Sequence, residues 1–123
     1  MNVDELKKLV SDGESDRLEF KRSTGQRTQA AKTACAMLNG LGGFILFGIN
    51  DNGDFVGQQV AAKTLEDMSA EMRRIEPQAF PIVETLDIGK GKSVIVLHVV
   101  GGRGLYTFDG RPYIGTHYQY YAS

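Results

Sequence analysis

The chain has 123 residues, 41% of them hydrophobic and 24% charged, which suits one globular domain over residues 1–123 and excludes a fibrous repeat or wholesale disorder. Fourteen basic against fifteen acidic residues leave a formal net charge of -1, so the chain lacks the overall positive excess of a simple polyanion-coating protein, and any such site has to be local. No window reaches the roughly 18 consecutive apolar residues of a membrane span. "MNVDELKKLV" lacks the apolar run of a signal peptide, and the lone Cys35 excludes both an internal disulfide and a cysteine zinc cluster. The expectation is a cytoplasmic protein with no membrane partner.

In chain order, "VDELKKLVSDG" spaces Val3, Leu6, Leu9 and Val10 as one stripe of a short helix that Gly13 is placed to end. "RLEFKRS" alternates, with Leu18 and Phe20 on one face and Arg17, Glu19 and Lys21 on the other, the period of a half-buried strand. From Thr28 to Leu41, Ala31, Ala34, Cys35 and Leu38 recur at helical spacing, small enough to lie close on a sheet, and Asn39 and Gly40 are stop signals. After an "LGG" turn, "FILFGI" is apolar throughout and reads as a central strand covered on both faces. "NDNGD" then predicts a turn, with "FVGQQV" returning as hairpin partner. Thr64 and Asp67 resemble a capping box before a helix that buries Leu65, Met68, Met72 and Ile75 and stops at Pro77. "PIVETLDI" with "SVIVLHVV", and "LYTF" with "RPYIGT", read as two further hairpins. This order predicts an α+β fold: a mixed, largely antiparallel sheet packed against two or three helices.

The charges concentrate between Arg17 and Lys32, where Arg17, Lys21, Arg22, Arg27 and Lys32 face the single acid Glu19. Arg22, Arg27 and Lys32 could neutralise phosphates, as could Arg103 in the "GGRG" loop and Arg111 beside a "DG" turn; the alternative is a solvated face with glycines that merely turn the chain. Glu19-Phe20-Lys21 has the E-x-K form of many metal-dependent nucleases, in which a carboxylate holds magnesium and a lysine steadies the water or phosphate; it is equally the form of a strand-face ion pair. Tyr106, Tyr113, Tyr118, Tyr120 and Tyr121 crowd the C-terminal segment, where they could stack bases or pair two subunits into a homodimer. His98 and His117 alone make no metal site, and Cys35 reads as a small core residue.

"GESDRLEFKRS", then a helix ending "ACAMLNGLGG", then "FILFGINDNGDFVG", together resemble the Schlafen-type AlbA_2 domain from about Glu14 to Gly57, with weaker agreement through "DGRPYIGTHY". The resemblance implies a DNA- or RNA-binding module of a transcriptional regulator or an ATPase-linked DNA-processing protein. It also implies an ATPase-like or winged-helix domain downstream in the parent chain, and no cofactor needed for binding. Some Schlafen members are RNA endonucleases with three acids around Mg or Mn. For that alternative the resemblance points to Glu14, Glu19 and Asp51, or Asp54 if the turn is shifted by one residue, as metal ligands with Lys21 assisting. The chain departs from the pattern at Asn50, where an acid is expected, and at Gly115, where an arginine is. A further alternative is an oligomerisation or interaction module.

Overall fold

The computed structural model describes residues 1–102, 104–115 and, as backbone, 119–120. Helix α1 (Val3–Ser11) starts at a capping box: the Asn2 side chain accepts from the Glu5 N–H at 2.8 Å and the Glu5 carboxylate accepts from the Asn2 N–H at 3.0 Å. Gly13, at φ 77°, turns the chain out of it. Strand β1 (Leu18–Lys21) leads through a 3-10 turn (Thr24–Gln26) into α2 (Arg27–Leu38) and then β2 (Gly42–Phe47). Helix α3 (Ala62–Met72), a short β3 (Ile75–Glu76), the long hairpin β4 (Ile82–Gly89) and β5 (Lys92–Val100), and β6 (Thr107–Phe108), β7 (Arg111–Ile114) and β8 (Gln119–Tyr120) complete the chain.

Two four-stranded sheets form, ordered β1-β2-β5-β4 and β3-β6-β7-β8. In the first, β1 runs parallel to β2 with Glu19 opposite Ile45 and Lys21 opposite Phe47, while β2 with β5 and β5 with β4 are antiparallel. The parallel pair needs a crossover, and α2 supplies it. On one side of this sheet α1 covers Leu18, Phe20, Leu46, Val94 and Val96 with Leu6 and Val10. On the other, α2 lies between Ile45, Phe47, Ile95 and Leu97 and the second layer, which contributes Met68, Met72, Ile75, Phe108 and Tyr113. The sandwiched position explains why Ala30, Ala31 and every residue from Thr33 to Leu38 are buried, rather than the single stripe expected. The α+β class is thus as the element order predicts.

Several boundaries differ from expectation for identifiable reasons. Only Leu41 of "LGG" lies in the turn, which spans residues 39–41: Gly42 and Gly43 are already the first residues of β2, pressed against backbone on both flanks. "FVGQQV" does not pair as a strand, because β1 and β5 already occupy both edges of β2; Phe55 makes only an isolated bridge to Ile49, and Gln58 one to Ser93. Helix α3 begins before Thr64, whose hydroxyl accepts the Ala61 N–H at 3.1 Å, and it ends at Met72, so Ile75 enters the core from β3.

Cys35 is fully buried, as its place on α2 predicts, and burial pushes its thiol up to about 11. From that shift alone the thiolate fraction at neutral pH falls about 100-fold. Iodoacetamide is therefore expected to label folded protein at least about 100 times more slowly than urea-unfolded protein, read by mass spectrometry; equal rates would contradict the packing of α2.

Candidate functional site

Strand alternation places Glu19 and Lys21 on the face of β1 that looks toward α2, in register with the buried Ile45 and Phe47. Their side chains are only 20% and 13% exposed, and Lys21 Nζ lies 3.3 Å from Glu19 Oε1. The common face is as expected; the open, outward surface is not, because the helix that crosses from β1 to β2 covers it. Glu19 lines a hollow of about 220 Å³ with Thr33, Met37, Asn39 and Ile114.

Glu14 does something else. β1 is the edge of its sheet, so alternate N–H groups lack a strand partner. The Glu14 carboxylate accepts that of Phe20 at 2.8 Å, satisfying one of them. With Asp51, Glu14 lines a different hollow, beside Lys7, Phe20 and Phe55. Among the described residues no group of three His, Cys, Asp or Glu side chains is placed to hold a metal ion. Glu14, Glu19 and Asp51 therefore do not fit a single divalent cation as gathered here: one acid faces α2, and the other two lie in the hollow beyond the strand edge. Asn50, the departure from the family pattern, orders its turn. Its side-chain carbonyl accepts from the N–H groups of Asn52 at 3.0 Å and Asp54 at 2.9 Å, and its amide donates to the Asp54 carboxylate at 3.1 Å.

The cations fall into two groups. Arg22 is exposed, and its backbone N–H donates to the Gln26 side chain at 2.8 Å. Arg27 is tied to the 3-10 turn through Nη1, which donates to the Thr24 carbonyl at 3.2 Å. Lys32 and Arg111, far apart in sequence, share a hollow of about 340 Å³ with Thr28, Arg74, Asp109 and Tyr113. Lys32 Nζ stands 5.9 Å from the centroid of the Tyr113 ring, a cation–π distance. Arg103 lies outside the described residues, as do His117, Tyr118 and Tyr121 and the side chain of Tyr120, and with them the C-terminal aromatic segment expected to pair two subunits.

Arg74 is the residue sequence reasoning missed. Its guanidinium donates through Nη1 to Glu71 at 2.9 Å, through Nε to Asp109 at 3.0 Å and through Nη2 to the second Asp109 oxygen, over the Phe108 ring at 4.5 Å. This pairing holds the Asp109 carboxyl below the usual carboxylate range, with lesser help from Arg111 and Lys32, and raises the arginine in turn. Thr28 adds its hydroxyl to Glu71. No local motif marks Arg74, because its partner Asp109 arrives from a hairpin turn 35 residues later.

Asn39, read from sequence as a helix stop, also joins the layers. Its amide nitrogen donates to the carbonyls of Tyr106 at 2.9 Å and Tyr113 at 3.0 Å, and its oxygen accepts the Tyr106 N–H at 2.7 Å. These bonds fix β6 and β7, and hence Arg111 and Tyr113, against the C-terminal end of α2.

Among solved structures, the N-terminal domain of a RecG-related protein from Nitrosomonas europaea matches at 25% identity and a TM-score of 0.63, over 82% of this chain and 74% of that domain. The DIP2311 protein of Corynebacterium diphtheriae matches at 15% identity and the same TM-score of 0.63; it covers 97% of this chain, which spans 26% of that protein, and the likeness is one of fold. No curated protein matches the chain. The pattern of the family described as Schlafen, AlbA_2 matches residues 14–118, from the edge-capping glutamate to the segment after β7. The chain therefore belongs to the Schlafen AlbA_2 family.

Proposed function

We propose that this domain binds nucleic acid, DNA or RNA, through the side where the N-terminal half of α2 meets β7. Arg22, Arg27, Lys32 and Arg111 supply the cations; Lys21, only 13% exposed and paired with Glu19, does not. The observation that carries the reading is the meeting of Lys32, Arg74 and Arg111 in one hollow of a chain whose net charge is -1. Membership of the AlbA_2 family supports it, as does the likeness to a domain from a protein named for an ATP-dependent DNA helicase. On this reading the domain serves as the nucleic-acid-holding unit of an ATPase-linked DNA-processing protein or a transcriptional regulator. Binding needs no cofactor.

The test is a salt series with fluorescent single-stranded and duplex oligonucleotides, DNA and RNA in parallel. Each phosphate contact contributes a slope of about 0.7 on a single strand and about 0.9 on duplex B-DNA when log affinity is plotted against log salt. The double variant Lys32→Gln, Arg111→Gln is expected to lower the single-strand slope by about 1.4. A wild-type slope near zero would leave the cations without phosphates and remove the proposal.

A further inference from the structure

The hollow between α2 and the β6–β7 turn already contains an anion of the protein's own. Asp109 sits at the tip of that turn, at φ 51° and followed by Gly110 at φ 78°, with its carboxylate laid along the fork of the Arg74 guanidinium. The fork is fixed from behind by Glu71 and from below by the Phe108 ring. Lys32 and Arg111 line the same hollow and attract the same carboxylate. A carboxylate and a phosphate present a pair of oxygens to a guanidinium in the same two-bond geometry.

We propose that Asp109 is a built-in substitute for a nucleic-acid phosphate, and that the hollow lined by Thr28, Lys32, Arg74, Arg111 and Tyr113 is a phosphodiester subsite. The ligand enters it by exchanging one backbone phosphate for the Asp109 carboxylate on Arg74. This inference rests on the nucleic-acid reading above. The exchange is conservative in charge, one singly charged anion leaving as another arrives, so Arg74 is never left uncompensated. It also requires no opening of the core: the Asp109 side chain is 47% exposed and stands on a hairpin tip that water already reaches. Because Asp109 competes for the site, the three cations hold nucleic acid more weakly than their number would suggest, and weakly bound anions are kept out.

Fluorescence anisotropy with a 5′-labelled oligothymidylate tests this on the full chain. Asp109→Asn keeps the side chain's shape and removes its charge. It is expected to tighten binding about tenfold, whereas Arg74→Gln weakens it about tenfold, and Asp87→Asn, on the far edge strand β4, changes it less than twofold. Asp109→Ser serves as a second variant should the first fold poorly, with thermal melts reporting the fold of each. Tightening by the Asp109 variants well beyond the Asp87 control, with weakening by Arg74→Gln, supports the exchange. Unchanged or weaker binding by folded Asp109 variants, while Lys32→Gln still weakens the wild type's affinity, overturns the exchange and leaves nucleic-acid binding standing. Absence of binding by the wild type, or indifference to Lys32→Gln, overturns the nucleic-acid reading and the exchange with it.

Discussion

Replacing Gly42 with alanine is expected to lower stability by about 4 kcal/mol or more, enough to abolish a cooperative unfolding transition in a domain of this size. Two effects add. Gly42 has φ 80°, a conformation that costs an L-residue about 1–2 kcal/mol. An added Cβ would also stand 2.3 Å from the Val99 carbonyl oxygen and 2.6 Å from the Gly101 nitrogen. Both obstacles are backbone, and β2 is held on its other flank by β1, where a Cβ on Gly43 would meet the Arg17 carbonyl at 2.4 Å. The strand therefore has no direction in which to move. Gly53→Ala is the control: φ there is 83°, but the nearest atom to an added Cβ is a Val10 methyl at 3.5 Å, so only the conformational penalty applies. Urea unfolding followed by circular dichroism measures both; a Gly42 variant no less stable than the Gly53 variant would mean that the close approach of β2 and β5 is unnecessary.

Asn39→Ala is expected to destabilise by about 3 kcal/mol, because one side chain makes three bonds to main-chain groups and its loss leaves them unpaired in a half-buried setting. The functional effect is larger than for most equally destabilising changes. Asn39 docks the strands that carry Arg111 and Tyr113, so a variant still folded at low temperature should show a reduced salt slope as well as faster amide exchange across β6 and β7. Asn39→Asp retains an acceptor for the Tyr106 N–H but points a carboxylate at two carbonyls, and is expected to be no better than alanine. A variant that melts near the wild-type temperature and exchanges its β7 amides at the wild-type rate would show that other contacts dock the second sheet.

Neither effect, and little of the candidate site, follows from sequence patterns of period two or 3.6. Alternation in "RLEFK" correctly puts Glu19 and Lys21 on a shared face, since that is a property of any extended backbone. It cannot say what lies over that face. The covering helix is decided by the parallel pairing of β1 with β2 and the crossover this demands. The same crossover explains α2, whose alanines suggested one buried stripe and which is enclosed on nearly all sides. The family resemblance makes Glu14 one of three acids around a metal, yet its bond to Phe20 follows from β1 being an edge, a fact about strand order.

By itself the amino-acid sequence determined the α+β class, the buried central strand, the β4–β5 and β6–β7 hairpins, the core placement of Cys35 and family membership, because each depends on periodicity, turn chemistry or an ordered set of local blocks. Tertiary structure alone decided that Glu19 is separated from Glu14 and Asp51, and that Lys32 and Arg111 share one hollow with Arg74 and Asp109. These are meetings of residues from elements distant in the chain. Their positions depend on which strand pairs with which, and strand order is fixed by the burial and hydrogen-bond satisfaction of the whole fold rather than by any local stretch.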